Sequence, residues 1–187
     1  GLFLLLTSIY LFVSFSSYLF TWKFDLSLID GKSISFVFNG EDSEIKNWLG
    51  KLGAYTAHHF LKVWYGIASF TFVFVSFIIG FKALFKYDLL PLSKTLKVSF
   101  FSLLWICVLL GYLFQNSNYD FICGLYGQLI NKWLIGVLGQ IGTGFFIFFF
   151  GIGSIILLFN PSLKWLIDFF NLISKKMILK KIDNDGF

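Results

Sequence analysis

The side chains with the most chemical capacity here are an adjacent histidine pair, His58-His59, and two cysteines, Cys107 and Cys123. Neighbouring positions on a helix point about 100° apart, so the two imidazoles are poorly placed to ligate one metal. A haem bundle would set one His inside each of two spans, whereas both of these precede an apolar run. Interfacial packing or hydrogen bonding is the expectation for them; a haem-carrying membrane anchor is a competing reading that rests on these two residues alone. Cys107 sits inside an apolar run and Cys123 in a loop beyond it. Two thiols cannot complete a metal site, and the expected difference in membrane depth argues against a disulfide, so each is expected to be packed and inert. The sequence holds no G-x-x-x-x-G-K-[ST] phosphate loop, no G-x-S-x-G elbow, no H-E-x-x-H and no Cys-x-x-Cys. No catalytic, cofactor-binding or metal-ligating residue is therefore expected, and the segment is not expected to act as an enzyme.

Composition says what must position these residues. Hydrophobic residues make up 57% of the 187 positions, aromatics 22% and charged residues only 13%, with mean hydropathy +0.80. A soluble globule of this size would be roughly a quarter charged, so this is an integral membrane chain. The net charge of +5 comes from Lys residues flanking apolar runs, where topology signals and anionic headgroups account for them. Direct DNA contact would need clustered Lys and Arg.

The pattern predicts an all-α integral membrane fold with four transmembrane helices, at about 2–22, 63–81, 98–115 and 136–159. Loops 23–62 and 116–135 join them on one side. The stretch Glu44–Phe81 reads as a surface-lying amphipathic helix, with Ile45, Trp48, Leu49, Leu52 and Thr56 at helical spacing, passing without a break into span two. Trp48, Leu49, Leu52, His58 and His59 are the candidate external interface. Ser33 to Phe38 alternates polar and apolar and suggests one short strand, with no core expected around it. Phe121 to Ile135 suggests a short interfacial helix weakened by Gly124 and Gly127. In span four, Gly136, Gly139 and Gly142 recur at every third position and are candidate helix-packing residues, since small side chains let helices approach closely in lipid. Asn160-Pro161 caps an amphipathic exit helix over 161–182 that closes in Lys175, Lys176, Lys180 and Lys181. The Lys-rich segments 82–97 and 175–181 place both termini in the cytoplasm. Every Asp, Glu and Lys falls at or beyond an expected span end, which argues against a proton-coupled pump. Trp22, Trp48, Trp64, Trp133 and Trp165 fall near span ends, as an aromatic belt requires, and only Trp105 is deep.

Three runs of sequence carry a family resemblance. Phe20-Thr-Trp-Lys-Phe-Asp25 closes span one; Asn47-Trp-Leu-Gly-Lys-Leu-Gly-Ala-Tyr55 leads through His58 to Val63-Trp-Tyr-Gly-Ile-Ala-Ser-Phe70; and Gly139-Gln-Ile-Gly-Thr-Gly144 is followed by Phe159-Asn160-Pro161. Together they resemble the N-terminal four-span membrane domain of the FtsK/SpoIIIE DNA translocases, in its Bacteroidetes form. The resemblance covers nearly the whole chain, and its motifs are structural. It implies a multi-pass anchor in the bacterial inner membrane at the division septum, acting in chromosome segregation and cell division. It implies a homo-oligomer, hexameric in the motor, beside division or envelope membrane proteins and lipid. The motor, with its ATP, Mg and DNA contacts, is expected beyond Phe187, so no functional residue carries over. The alternative is a small structural subunit of a respiratory or secretion complex without chemistry of its own.

Overall fold

A computed structural model describes residues 1–38, 44–115 and 121–159 of the chain. All regular structure among the described residues is helical, and four helices are long and apolar enough to cross a membrane: Leu2–Ile29, Gly66–Phe85, Leu92–Leu113 and Gly124–Ile156.

The first helix, α1 (Leu2–Ile29), has 28 residues. At 1.5 Å per residue it is ~42 Å long, more than the ~30 Å hydrocarbon core, so it runs well past the expected end at Trp22. Lys23 and Asp25 therefore stand on the helix and not beyond it, and Asp25 is fully buried. The helix thus carries Asp25 past the expected span end, because apolar content marks where a helix enters lipid and not where it stops. The chain leaves α1 through Asp30 and a left-handed Gly31 (φ 73°), a conformation glycine adopts without strain.

The expected strand at Ser33–Phe38 is instead a single helical turn, α2 (Ser35–Phe38). The Phe36 and Val37 amides donate to the Ser33 and Ile34 carbonyls at 3.0 Å each, so the segment satisfies its backbone locally and needs no partner strand. Phe36 is buried with Ile29 and Ala54, which makes a small core where none was expected.

Next come α3 (Gly50–Ala57), a wide π-helical stretch at His58–Trp64, a 3₁₀ turn at Gly66–Ser69 and α4 (Phe70–Phe85). The unbroken passage expected from surface helix to span is thus interrupted at Tyr65–Gly66, where Gly66 takes φ 66°. α4 runs antiparallel to α1. A Cβ on Gly80 would lie 2.9 Å from the Leu5 nitrogen, and Ser8 Oγ donates to the Val73 carbonyl at 2.9 Å. Phe15, Tyr18, Ala57 and Leu61, all fully buried, form the core between α1 and the incoming segment. A tight turn, with Lys82 Nζ 2.6 Å from Asp88 Oδ1, leads through Pro91 into α5 (Leu92–Leu113).

The last element, α6 (Gly124–Phe159), is two helices meeting at Gly139, whose φ of 71° and ψ of 172° lie outside any helical region. Before the break, Gly127 packs on the Cys107 carbonyl and Asn131 reaches Val108, so this half runs parallel to α5. After it the direction reverses. Tyr112 Oη donates to the Gln140 carbonyl and Trp105 Nε1 to the Ile147 carbonyl, both at 3.1 Å. The chain up to Phe148 forms one compact unit, and the later part of α6 carries a Ser154 Oγ bond to the Phe150 carbonyl at 2.6 Å. The expected exit helix at 161–182 lies outside the described residues.

Candidate functional site

The feature most unlike a generic bundle is a polar clasp along α1. Ser14, Ser17, Tyr18, Thr21 and Asp25 occupy positions spaced by three and four residues, which sets them on one helical face. Each is hydrogen bonded, and all but Thr21 are buried, although they lie in a helix of lipid-spanning composition. Thr21 bonds to Asp25 on the same helix, and the other four find partners in the backbone and side chains of residues 46–58. Asp25 Oδ1 accepts from the Lys46 amide at 2.8 Å while Oδ2 accepts from Thr21 Oγ1 at 2.6 Å. Ser17 Oγ accepts from the Trp48 amide at 2.9 Å. Ser14 Oγ donates to the Gly53 carbonyl at 2.7 Å, and Asn47 Nδ2 donates to the Ser14 carbonyl at 3.1 Å. Asn47 Oδ1 also accepts from the Leu49 amide at 3.1 Å, ordering the start of α3.

The physical reason for the clasp is the irregular backbone between residues 44 and 50. Its amides have no helical partners, and a non-helical backbone next to lipid must be satisfied by protein. Side chains on α1 supply those partners. The clasp holds α3 against α1, with Gly53, Ala54 and Ala57 buried in the contact, so α3 is docked on the bundle and does not float in the headgroup layer.

This docking divides the candidate interface residues. Trp48 and Leu52 point outward, 66% and 48% exposed, while Leu49 is half-buried. His58 is buried, with Nδ1 3.3 Å from Tyr18 Oη and Nε2 3.8 Å from Asp30 Oδ1. Burial, reinforced by the positive charge of Lys62 and by His59, pushes its pKa down from 6.5 to about 4 despite Asp30, so the ring is neutral at physiological pH. His59 turns away and donates from Nδ1 to the Tyr55 carbonyl at 3.0 Å, its ring 75° from that of His58. No group of three His, Cys, Asp or Glu side chains comes together among the described residues. Lys62 Nζ completes the edge of the clasp, 3.3 Å from Asp30 Oδ2.

Below the clasp the two broken helices meet. Gly66 and Gly124 both have left-handed backbones, and the Ile67 amide donates to the Ile122 carbonyl at 2.9 Å. Cys107 and Cys123 lie on the same level, since both border Gly127; their expected separation in depth is overturned by the return of the chain into the bundle at 121–127. Both thiols are free and buried.

Of the candidate packing glycines, Gly136 and Gly139 have open space around them within the chain, and Gly142 meets only Leu138 of the preceding turn. Close helix packing inside the chain uses other glycines: Gly80 on α1, Gly111 against Gly127 and Asn131, and Gly144 against the Tyr112 ring. The stripe on α1 and the buried Asp25 were missed in the sequence. The signal for them was present in the helical spacing of the polar residues inside an apolar run.

Comparison with known proteins bears on most of the chain. A family model described as the 4TM region of DNA translocase FtsK/SpoIIIE matches residues 1–171. Searches of curated proteins and of solved structures returned no match.

Proposed function

Because the chain belongs to the 4TM region of the FtsK/SpoIIIE DNA translocases, we propose that it is the membrane anchor and assembly domain of such a translocase, without chemistry of its own. The family match over residues 1–171, coincident with four span-forming helices, is the observation that carries this reading. Both termini are assigned to the cytoplasmic side of the bacterial inner membrane, on the strength of the Lys density in the 82–97 turn. The clasped segment is then displayed on the outer face, where Trp48 and Leu52 meet lipid or division and envelope proteins. The open surface at Gly136 serves self-association, as small residues do where helices meet in lipid. ATP, Mg and DNA belong to the motor of the same protein, and hexamer formation there adds to whatever contact the membrane domain makes.

The test replaces this domain, within the full-length protein, by an unrelated four-span bundle of the same topology. Membrane insertion is expected to persist while septal recruitment and chromosome segregation fail; normal septal foci in the chimera would reject the assembly role. Labelling of Ser33→Cys but not Ser93→Cys by a membrane-impermeant maleimide in intact spheroplasts is expected, and the reverse pattern would reject the orientation.

A further inference from the structure

His58 stands where α3 passes into the π-helical stretch, and it is 3% exposed in the contact with α1. Its Nδ1 lies 3.3 Å from Tyr18 Oη and its Nε2 lies 3.8 Å from Asp30 Oδ1. A neutral imidazole has one nitrogen free to accept, so Tyr18 donating to Nδ1 leaves an Nε2 proton facing Asp30. A second proton on the ring removes that acceptor. The Tyr18 hydroxyl must then accept from Nδ1 and turn its own hydrogen elsewhere, inside a contact where Tyr18 is fully buried.

The charges around the ring do not compensate a cation there. On α1, Asp30 is the nearest anion, but it lies outside hydrogen-bonding distance, is 61% exposed and has its other oxygen 3.3 Å from Lys62 Nζ. Asp25, on the same helix, is taken up by the Lys46 amide and Thr21 Oγ1. On the ring's own segment Lys62 is cationic, and the His59 ring stands 5.5 Å away, centre to centre. Phe121, which packs on Tyr18 from the 121–127 segment, carries no charge. An imidazolium here is buried without a hydrogen-bonded anion, and the depressed pKa of about 4 follows from that arrangement. Freed from α1, the solvated ring titrates near the ordinary ~6.5. Acid therefore favours the released segment over the docked one.

The segment is also built to release by itself. Its contact with α1 contains Gly53, Ala54 and Ala57, whose small side chains bury little apolar area, and is held by hydrogen bonds to Ser14, Ser17 and Asp25. Left-handed glycines bound it, Gly31 before and Gly66 after. The packing of α4 on α1, through Gly80 at Leu5 and Ser8 at Val73, is separate. We propose that His58 is an acid-responsive latch: proton uptake by its ring releases residues 46–61 from α1 while α1 and α4 stay packed. Release uncovers the buried strip of Ala54, Ala57 and Leu61 together with the polar face of α1.

Ring titration and amide exchange of the whole chain in lipid nanodiscs test this. The chain has two histidines, so isotope labelling of the His Cε1 carbons gives two resonances. The one lost in His58→Gln is expected to titrate below pH ~6, and a midpoint at or above ~6.5 would overturn the proposal. Between pH 7.5 and pH 5, protection of residues 50–61, corrected for the intrinsic pH dependence of exchange, is expected to fall about tenfold while α4 and α5 keep theirs. Unchanged protection would overturn the latch, and so would an equal fall in α4 and α5, which would mean that the bundle loosens as a whole. His58→Gln takes up no proton and is expected to lose the response. Asp30→Asn keeps the imidazole and is expected to retain it. A response lost in Asp30→Asn and kept in His58→Gln would assign the release to the carboxylate and reject His58 as the latch.

Discussion

Gly66 and Gly124 meet backbone to backbone at the centre of the bundle: a Cβ added to Gly124 would lie 2.5 Å from the Gly66 nitrogen, and one added to Gly66 would lie 2.5 Å from the carbonyl carbon of Cys123. Each glycine ends an irregular segment, Gly66 at the 3₁₀ turn that leads into α4 and Gly124 at the start of the first half of α6, at φ 66° and 65°. The contact locks together two left-handed breaks in the chain that are 58 residues apart in sequence (124 − 66).

Gly66→Ala and Gly124→Ala each combine a left-handed backbone with a collision against main chain, which cannot move aside as a flexible side chain would. Each is expected to destabilise the domain by ~3 kcal/mol or more. Because both substitutions break one contact, the double variant should cost clearly less than the sum. Thermal unfolding in detergent measures this, and additive losses would mean that the two turns are held independently.

Asp25→Ala removes the acceptor of the Lys46 amide and of Thr21 Oγ1. With a buried amide left unpaired, a loss of ~2–3 kcal/mol is expected, localised to the clasp. Amide exchange at Lys46 and Trp48 should accelerate while exchange within α4 and α5 stays slow. Uniform acceleration would mean that Asp25 supports the whole bundle.

Protonation of His58 should weaken the fold. Its folded pKa, about 4, lies below the ordinary 6.5, so the unfolded chain takes up the proton first as pH falls. The stability contributed by the neutral ring is complete above pH ~6.5 and is lost as pH falls from there towards ~4, by an expected ~1–2 kcal/mol. Replacing His58 with Phe removes this group's titration, and melting curves between pH 7 and pH 4 should flatten accordingly. An unchanged pH profile would assign the acid sensitivity to other groups.

Gly139 and Gly136 should respond oppositely. Gly139, at φ 71° and ψ 172°, occupies a region essentially reserved for glycine, so Gly139→Ala is expected to cost ~1–3 kcal/mol and disturb the reversal of α6. Gly136 is helical with open space around it, so Gly136→Ala should leave the folded chain unchanged or slightly more stable, by up to ~1 kcal/mol. Melting temperatures separate the two. Cross-linking of Gly136→Ala then reports on a partner chain alone, and undiminished cross-linking would remove Gly136 from the self-association face.

The segment around the clasp shows how far the sequence could be read. Trp48 and Leu52 are both exposed, but only Leu52 stands in α3; Trp48 lies in the turn before it, so helical spacing does not relate the two. His58 was grouped with them by proximity in sequence, yet it is buried, because the π-helical stretch starting at His58 turns the ring towards Tyr18. The Ser33–Phe38 alternation does not make a strand, because period two over six residues is short enough to fit a single turn of helix.

Membership among span-forming membrane chains, the existence of four apolar crossings and the absence of a phosphate loop follow from residue identity alone, since partition into lipid is a sum over local side chains. The breaks at Gly66 and Gly139, the return of residues 121–127 to the level of Cys107, and the pairing of Asp25 with Lys46 were decided only in three dimensions. A glycine permits a left-handed backbone, and a buried carboxylate requires a donor. Which of the 17 glycines turns, and which amide is the donor, depends on segments distant in sequence that the bundle brings within hydrogen-bonding reach.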